Sequence, residues 1–217
     1  MVVVPVRTSR QGIAPDPVRH LSRDPVMRGL IRAAGPCDLG PDRRRTPYQA
    51  LLRAIAHQQL TARAADTILG RFFALYGDGR YPEPEELLAT DDERLRATGF
   101  SRAKVASLKD IAARTLDGTV APRRVLARMS DEAIIDRLVQ VRGVGRWTVE
   151  MFLMFTLGRP DVLPVDDYGI RNGFRLAYGL EDLPRPRELA EFGLRWSPHR
   201  STAAWYLWRA VDLARAR

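Results

Sequence analysis

Cysteine is nearly absent from this sequence of 217 residues. Cys37 stands alone, which excludes an intramolecular disulfide and any four-cysteine zinc or iron–sulfur site. Histidine is scarce too: His20, His57 and His199 lie far apart without metal-ligand spacing, so no protein-built transition-metal site is expected. No apolar run approaches the roughly 18 residues of a membrane span. The opening MVVVPV is too short for a signal peptide and carries no charge before its apolar part. The expectation is a cytoplasmic protein with no membrane partner. Convincing strand alternation is also missing, and the fold expected is all-α.

Arginine is what the chain has in plenty. Lys and Arg total 35, very few of them lysine, against 26 Asp and Glu, for a net charge of +9. Clustered cations gain affinity for nucleic acid through counterion release, although an arginine-rich genome produces the same composition. Charge therefore needs a motif beside it.

Capping signals divide the chain into helices. Residues 1–17, with Pro5, Pro15 and Pro17, read as a flexible N-terminal arm, followed by one domain over 18–217. Asp24 and Pro25 open a helix that stops at Gly35. Arg43 to Arg45 form a solvated turn. Thr46 and Gln49 make a capping box with Pro47 at the first helical position, and Thr61 caps the next helix, which stops at Gly77. Pro82 and Pro84 mark a loop, and Thr90 with Glu93 makes a second capping box. A helix after Ser101 has Val105, Leu108, Ile111 and Ala112 at helical spacing. Ser130 opens a helix with Ile134, Ile135, Leu138 and Val139 on one face.

That helix runs into VRGVGRWTVEMF, Val141 to Phe152, where Gly143 and Gly145 break the pattern before a second helix. Two glycines so placed allow a tight turn. The following N-terminus offers unpaired N–H groups over residues 143–148 and the positive end of a dipole to an anion. Arg146 and Thr148 add contacts to a phosphate. By itself the pattern fits a plain αα-corner equally well.

The twenty residues beyond Trp147 add what the turn lacks. Gly143-Val144-Gly145, Pro164 and Asp167 in VRGVGRWTVEMFLMFTLGRPDVLPVDDYGIRNGF resemble the helix-hairpin-helix, Gly/Pro-Asp superfamily of DNA glycosylases. Within it, GRWT, DVLPVDDY and RWSPHRSTAAWYLW are most similar to the 3-methyladenine DNA glycosylase II branch. IAHQQLTARAA and GFSRAKVASLKDIA also look like family segments. The resemblance spans about residues 20 to 212. It implies a two-lobed helical fold with the active-site cleft between the lobes and the helix-hairpin-helix at about 130–157. It also implies a monomer in the nucleoid whose partner is double-stranded DNA containing damaged bases. Most relatives have proline where this chain has Arg142.

The resemblance assigns Asp167 as the catalytic carboxylate that stabilises an oxocarbenium-like sugar and directs water. Asp166 beside it is expected to cap the helix from Tyr168. Relatives that also cut the strand carry a nucleophilic lysine where this chain has Trp147, and an indole forms no Schiff base. The expected enzyme is therefore a monofunctional glycosylase without lyase activity. Trp147, Tyr168 and Trp208 would form an electron-rich base pocket for a cationic alkylated purine, and Met151 stands where some relatives have an aromatic. Each aromatic also suits ordinary core packing. Gly143, Gly145, Arg146 and Thr148 would hold the DNA backbone. Gln58, with Gln59 and Leu60 nearby, is the wedge expected to fill the gap left by a flipped base; a surface-exposed helix end fits it as well. No cofactor is expected beyond a monovalent cation, Na+ or K+, on the carbonyls of Val139, Val141 and Val144. A non-catalytic DNA-binding module and a glycosylase for oxidised or mismatched bases remain alternatives.

Overall fold

Proline and short polar caps set most of the helix starts in the computed structural model, which describes residues 16–77 and 79–216. The helices are α1 (Pro17–Leu21), α2 (Pro25–Ala34), α3 (Pro47–His57), α4 (Ala62–Ala74), α5 (Pro84–Ala89), α6 (Asp92–Ala97) and α7 (Arg102–Leu116). They continue with α8 (Arg123–Leu126), α9 (Asp131–Leu138), α10 (Arg146–Phe152), α11 (Tyr168–Tyr178), α12 (Pro186–Gly193) and α13 (Arg200–Arg215). A π-helical turn, Leu153–Leu157, prolongs α10. Among the described residues there is no strand, and the all-α reading holds.

The expected caps are mostly in place. Thr46 and Gln49 form the reciprocal box on α3, where losing the threonine hydroxyl costs about 1 kcal/mol. Thr90 does not open α6. Its hydroxyl donates to the Glu86 carbonyl across 2.7 Å and closes α5, while Asp91 caps α6 by accepting from the N–H of Glu93 at 2.8 Å. Pro84 lies in no loop; it occupies the first turn of α5, where its missing N–H costs nothing. Of the expected arm, residues 1–15 lie outside the described residues, and Pro17 begins α1 behind its cap Asp16.

Two lobes share the core. In one, α7 packs against α3, α5 and α6, with α4 on α3; Leu51, Leu52, Ile55, Phe72, Leu108 and Ile111 are buried there. In the other, α13 packs against α2 and α11. Gly173 makes the last pairing close: a Cβ there would lie 1.9 Å from the Leu207 carbonyl oxygen, so any side chain would force α11 from α13. Helix α10 packs on α9 and α3 and points its first turn at the gap between the lobes.

Candidate active site

Three helices deliver the central group. Trp147 stands in the first turn of α10, Asp167 precedes α11, and Trp208 lies midway along α13. Asp167 is the N-cap of α11, its Oδ1 accepting from the N–H of Ile170 at 2.8 Å. This corrects the assignment of that cap to Asp166, which is exposed. The helix starts at Tyr168, so the residue immediately before it faces the third N–H of the helix. Oδ1 also accepts from Trp208 Nε1 at 3.0 Å, and Oδ2 accepts from Trp147 Nε1 at 2.8 Å. A carboxylate has about four lone-pair sites. Three N–H groups fix its orientation and leave capacity on Oδ2, the oxygen with a single partner.

The surrounding aromatics are open to solvent. Trp147 is 45% exposed and Tyr168 67%, so neither is a core residue. Trp208 is half-buried and stacks on Phe155, with centroids 5.9 Å apart and planes inclined by 25°. Sequence reading missed Phe155, because the α-helical period misplaces a residue inside a π-helical turn. That turn is held at its end by the loop before α3. The N–H of Asp42 donates to the Phe155 carbonyl at 2.7 Å, and Arg123 donates to the carbonyls of Asp42, Arg45 and Thr156. Met151 lines an adjoining cavity of about 220 Å³ with Phe155, Thr148, Arg53 and His57.

The hairpin joins α9 to α10. Gly143 has φ +78, and a Cβ there would meet Ser107 Oγ at 2.5 Å, so both conformation and space demand glycine. Gly145 caps α10 in extended conformation without a side-chain partner for the helix. Arg142, where a proline was expected from the resemblance, has a partner for the N–H that proline lacks: Asp110 Oδ2, 2.7 Å away on α7. Arg146 is engaged by two carboxylates, Nη2 lying 2.8 Å from Glu132 and Nε 3.3 Å from Glu150. Glu150 is buried, and that burial pushes its carboxyl up to about 7 against the pull of Arg146. Thr148 is buried with its hydroxyl 3.4 Å from Gln58 Nε2, turned inward from any backbone partner. Gln58 also donates to the Gly143 carbonyl at 3.0 Å, leaving Gln59 and Leu60 as the exposed side chains of that loop.

Among the described residues no group of His, Cys, Asp and Glu is arranged to hold a metal. Of the three hairpin carbonyls, Val141 already accepts from the Val144 N–H at 3.0 Å, and a carbonyl has a second lone pair.

Known proteins resemble this chain in sequence and fold. The chain is 42% identical over 199 residues to DNA-3-methyladenine glycosylase 1 of Schizosaccharomyces pombe, covering 90% of this chain and 86% of that protein. It superposes on the solved structure of the S. pombe 3-methyladenine DNA glycosylase in complex with abasic DNA with a TM-score of 0.81 and 41% identity, over 91% and 97% of the two chains. DNA-3-methyladenine glycosidase from Bacillus halodurans matches with a TM-score of 0.82 and 32% identity, over 93% and 92%. The model of HhH-GPD superfamily base excision DNA repair proteins matches residues 52–199, a span that runs from α3 past Asp167 to the N-cap of α13. With the hairpin, the capped aspartate and the two lobes in place, this chain belongs to the HhH-GPD superfamily of base excision DNA repair proteins.

Proposed function

We propose that this protein is a monofunctional DNA glycosylase, acting as a monomer on duplex DNA in the cytoplasm. It releases alkylated bases of the 3-methyladenine and 7-methylguanine type and leaves an abasic site. The observation that carries the reading is the Asp167 carboxylate, oriented by Trp147, Trp208 and Ile170 at the gap between the lobes. An alkylated purine is cationic, so the electron pair of its C1′–N bond leaves with the base, which departs neutral. Positive charge develops on the sugar, and a preorganised carboxylate stabilises it. Oδ2 then accepts a proton from the water whose oxygen bonds to C1′.

The exposed faces of Trp147 and Tyr168, and the Trp208–Phe155 stack, suit a flat cation. Trp147 supplies no amine, which supports hydrolysis without strand cleavage. Gly143, Gly145 and Arg146 are the proposed phosphate grip, and the Gln58–Leu60 loop the wedge. The carbonyls of Val139, Val141 and Val144 would hold a monovalent cation, which would add positive potential at the phosphate.

The test is direct. Duplexes carrying 3-methyladenine, 7-methylguanine, ethenoadenine, 1-methyladenine or hypoxanthine are incubated with the protein, and free base is measured. Release of the first two, lost in Asp167→Asn, is the expected result. No release from any duplex would favour a DNA-binding module.

A further inference from the structure

We infer that Lys104 is a positioning residue that sets the loop between α3 and α4 in the shape needed for insertion into DNA. The inference rests on reading that loop as the wedge. The loop is short and sharply bent. Gln58 ends α3 at φ −56, ψ 129, and Gln59 follows at φ +58, the only non-glycine residue with positive φ among the described residues. Such a conformation costs roughly 1–2 kcal/mol for a residue with a side chain, and it persists where neighbours over-determine it.

Those neighbours are identifiable. Lys104, in the first turn of α7, directs its ammonium at the C-terminal end of α3. Nζ donates to the Gln58 carbonyl at 2.7 Å and to the Ala56 carbonyl at 3.0 Å. Carbonyls in the last turn of a helix lack partners within it, and the dipole there favours a cation. The Gln58 carbonyl belongs to the peptide plane leading into Gln59. Holding that plane fixes the reference from which Gln59 turns. From the other side, the Gln58 amide reaches the Gly143 carbonyl at 3.0 Å. Gln58, the first residue of the loop, is thus tied to α7 by a charge and to the hairpin by its amide, with Gln59 exposed and Leu60 39% exposed just beyond it.

The residue type fits the task. Lys104 is one of two lysines among 35 basic residues. An ammonium is a compact charge with three rotatable donors, able to serve two carbonyls around one point. The same contacts link the wedge to the DNA grip, since loop, α7 and hairpin meet at this place.

The experiment uses the full chain and a duplex with an uncleavable abasic-site analogue flanked by 2-aminopurine, whose fluorescence rises on unstacking. Lys104→Met is expected to lower the rise at saturating protein by about threefold and single-turnover release of 7-methylguanine by about tenfold. The melting temperature of the free protein should stay within about 3 °C of the wild type. Lys104→Arg, which keeps the charge, should recover most of the rise. The double variant Gln59→Gly, Leu60→Gly marks the level of a lost wedge. If that variant loses the rise while Lys104→Met keeps it, the role of Lys104 is overturned and the wedge reading stands. If the double variant itself keeps the full rise, the wedge reading fails and the inference fails with it. A loss in Lys104→Met that tracks a fall of more than about 10 °C in melting temperature, with no recovery in Lys104→Arg, would assign Lys104 to stability alone.

Discussion

The indole of Trp147 donates to Asp167 Oδ2 across 2.8 Å, joining the first turn of α10 to the cap of α11. A position that a resemblance to lyases marks for a nucleophile thus serves the carboxylate as a hydrogen-bond donor. It also presents an exposed ring to the gap between the lobes.

That bond is measurable. Trp147→Phe keeps an aromatic face but removes the N–H. Hydrogen bonds to charged groups are worth about 1.5–3 kcal/mol, so single-turnover base release should fall by roughly 10- to 100-fold, with duplex affinity changed by less than about threefold. An unchanged release rate would separate Trp147 from the chemistry.

Asp167→Asn should lower release at least about 100-fold, in the range of a lost general base. Binding to an abasic-site duplex should persist, because the cap on α11 can still be made by the asparagine carbonyl.

Borohydride added during turnover should trap no covalent protein–DNA adduct, since position 147 carries an indole. A shifted band on a denaturing gel would contradict the monofunctional reading.

The Asp110 contact with the Arg142 N–H predicts a coupling. Asp110→Ala alone should cost about 1–2 kcal/mol, leaving a hairpin N–H without its charged partner. In the Arg142→Pro background the same change should cost close to nothing, because proline has no N–H. Urea denaturation of the four proteins gives the interaction energy, expected at about 1–2 kcal/mol.

Glu150 predicts a pH dependence. Its carboxyl is raised from 4.5 to about 7 by burial, so the unfolded chain ionises first. Stability is fully present below about pH 4.5 and is lost as pH rises through about 7, by up to about 3 kcal/mol. Glu150→Gln removes this slope: its melting temperature relative to wild type should be higher at pH 8 than at pH 5. Equal differences at the two pH values would refute it.

Local chemistry made much of this fold legible in advance. Thr46 with Gln49, Ser101, Ser130 and the prolines at helix starts are short-range signals, and the helices they announce are present. The same signals mislead where neighbours compete: Thr90 and Asp91 both suit a cap, as do Asp166 and Asp167, and only the helix start decides between them. Phe155 escaped notice because a π-helical turn rotates residues off the 3.6 period.

The sequence by itself determined the helical class and the glycine turn, since each depends on residues a few positions apart, while Asp167 as the acidic group is what the family resemblance implies. Tertiary structure alone decided what surrounds that group. Trp147, Asp167 and Trp208 are separated by 20 and 41 positions, and no local rule states which indole N–H reaches which oxygen. Likewise, Asp110 reaches the N–H of Arg142 from 32 positions away, and Lys104 reaches the end of α3 from 46. Such pairings follow from the packing of α7 on α3 and of α13 on α11, which places donors and acceptors opposite one another only after the core has formed.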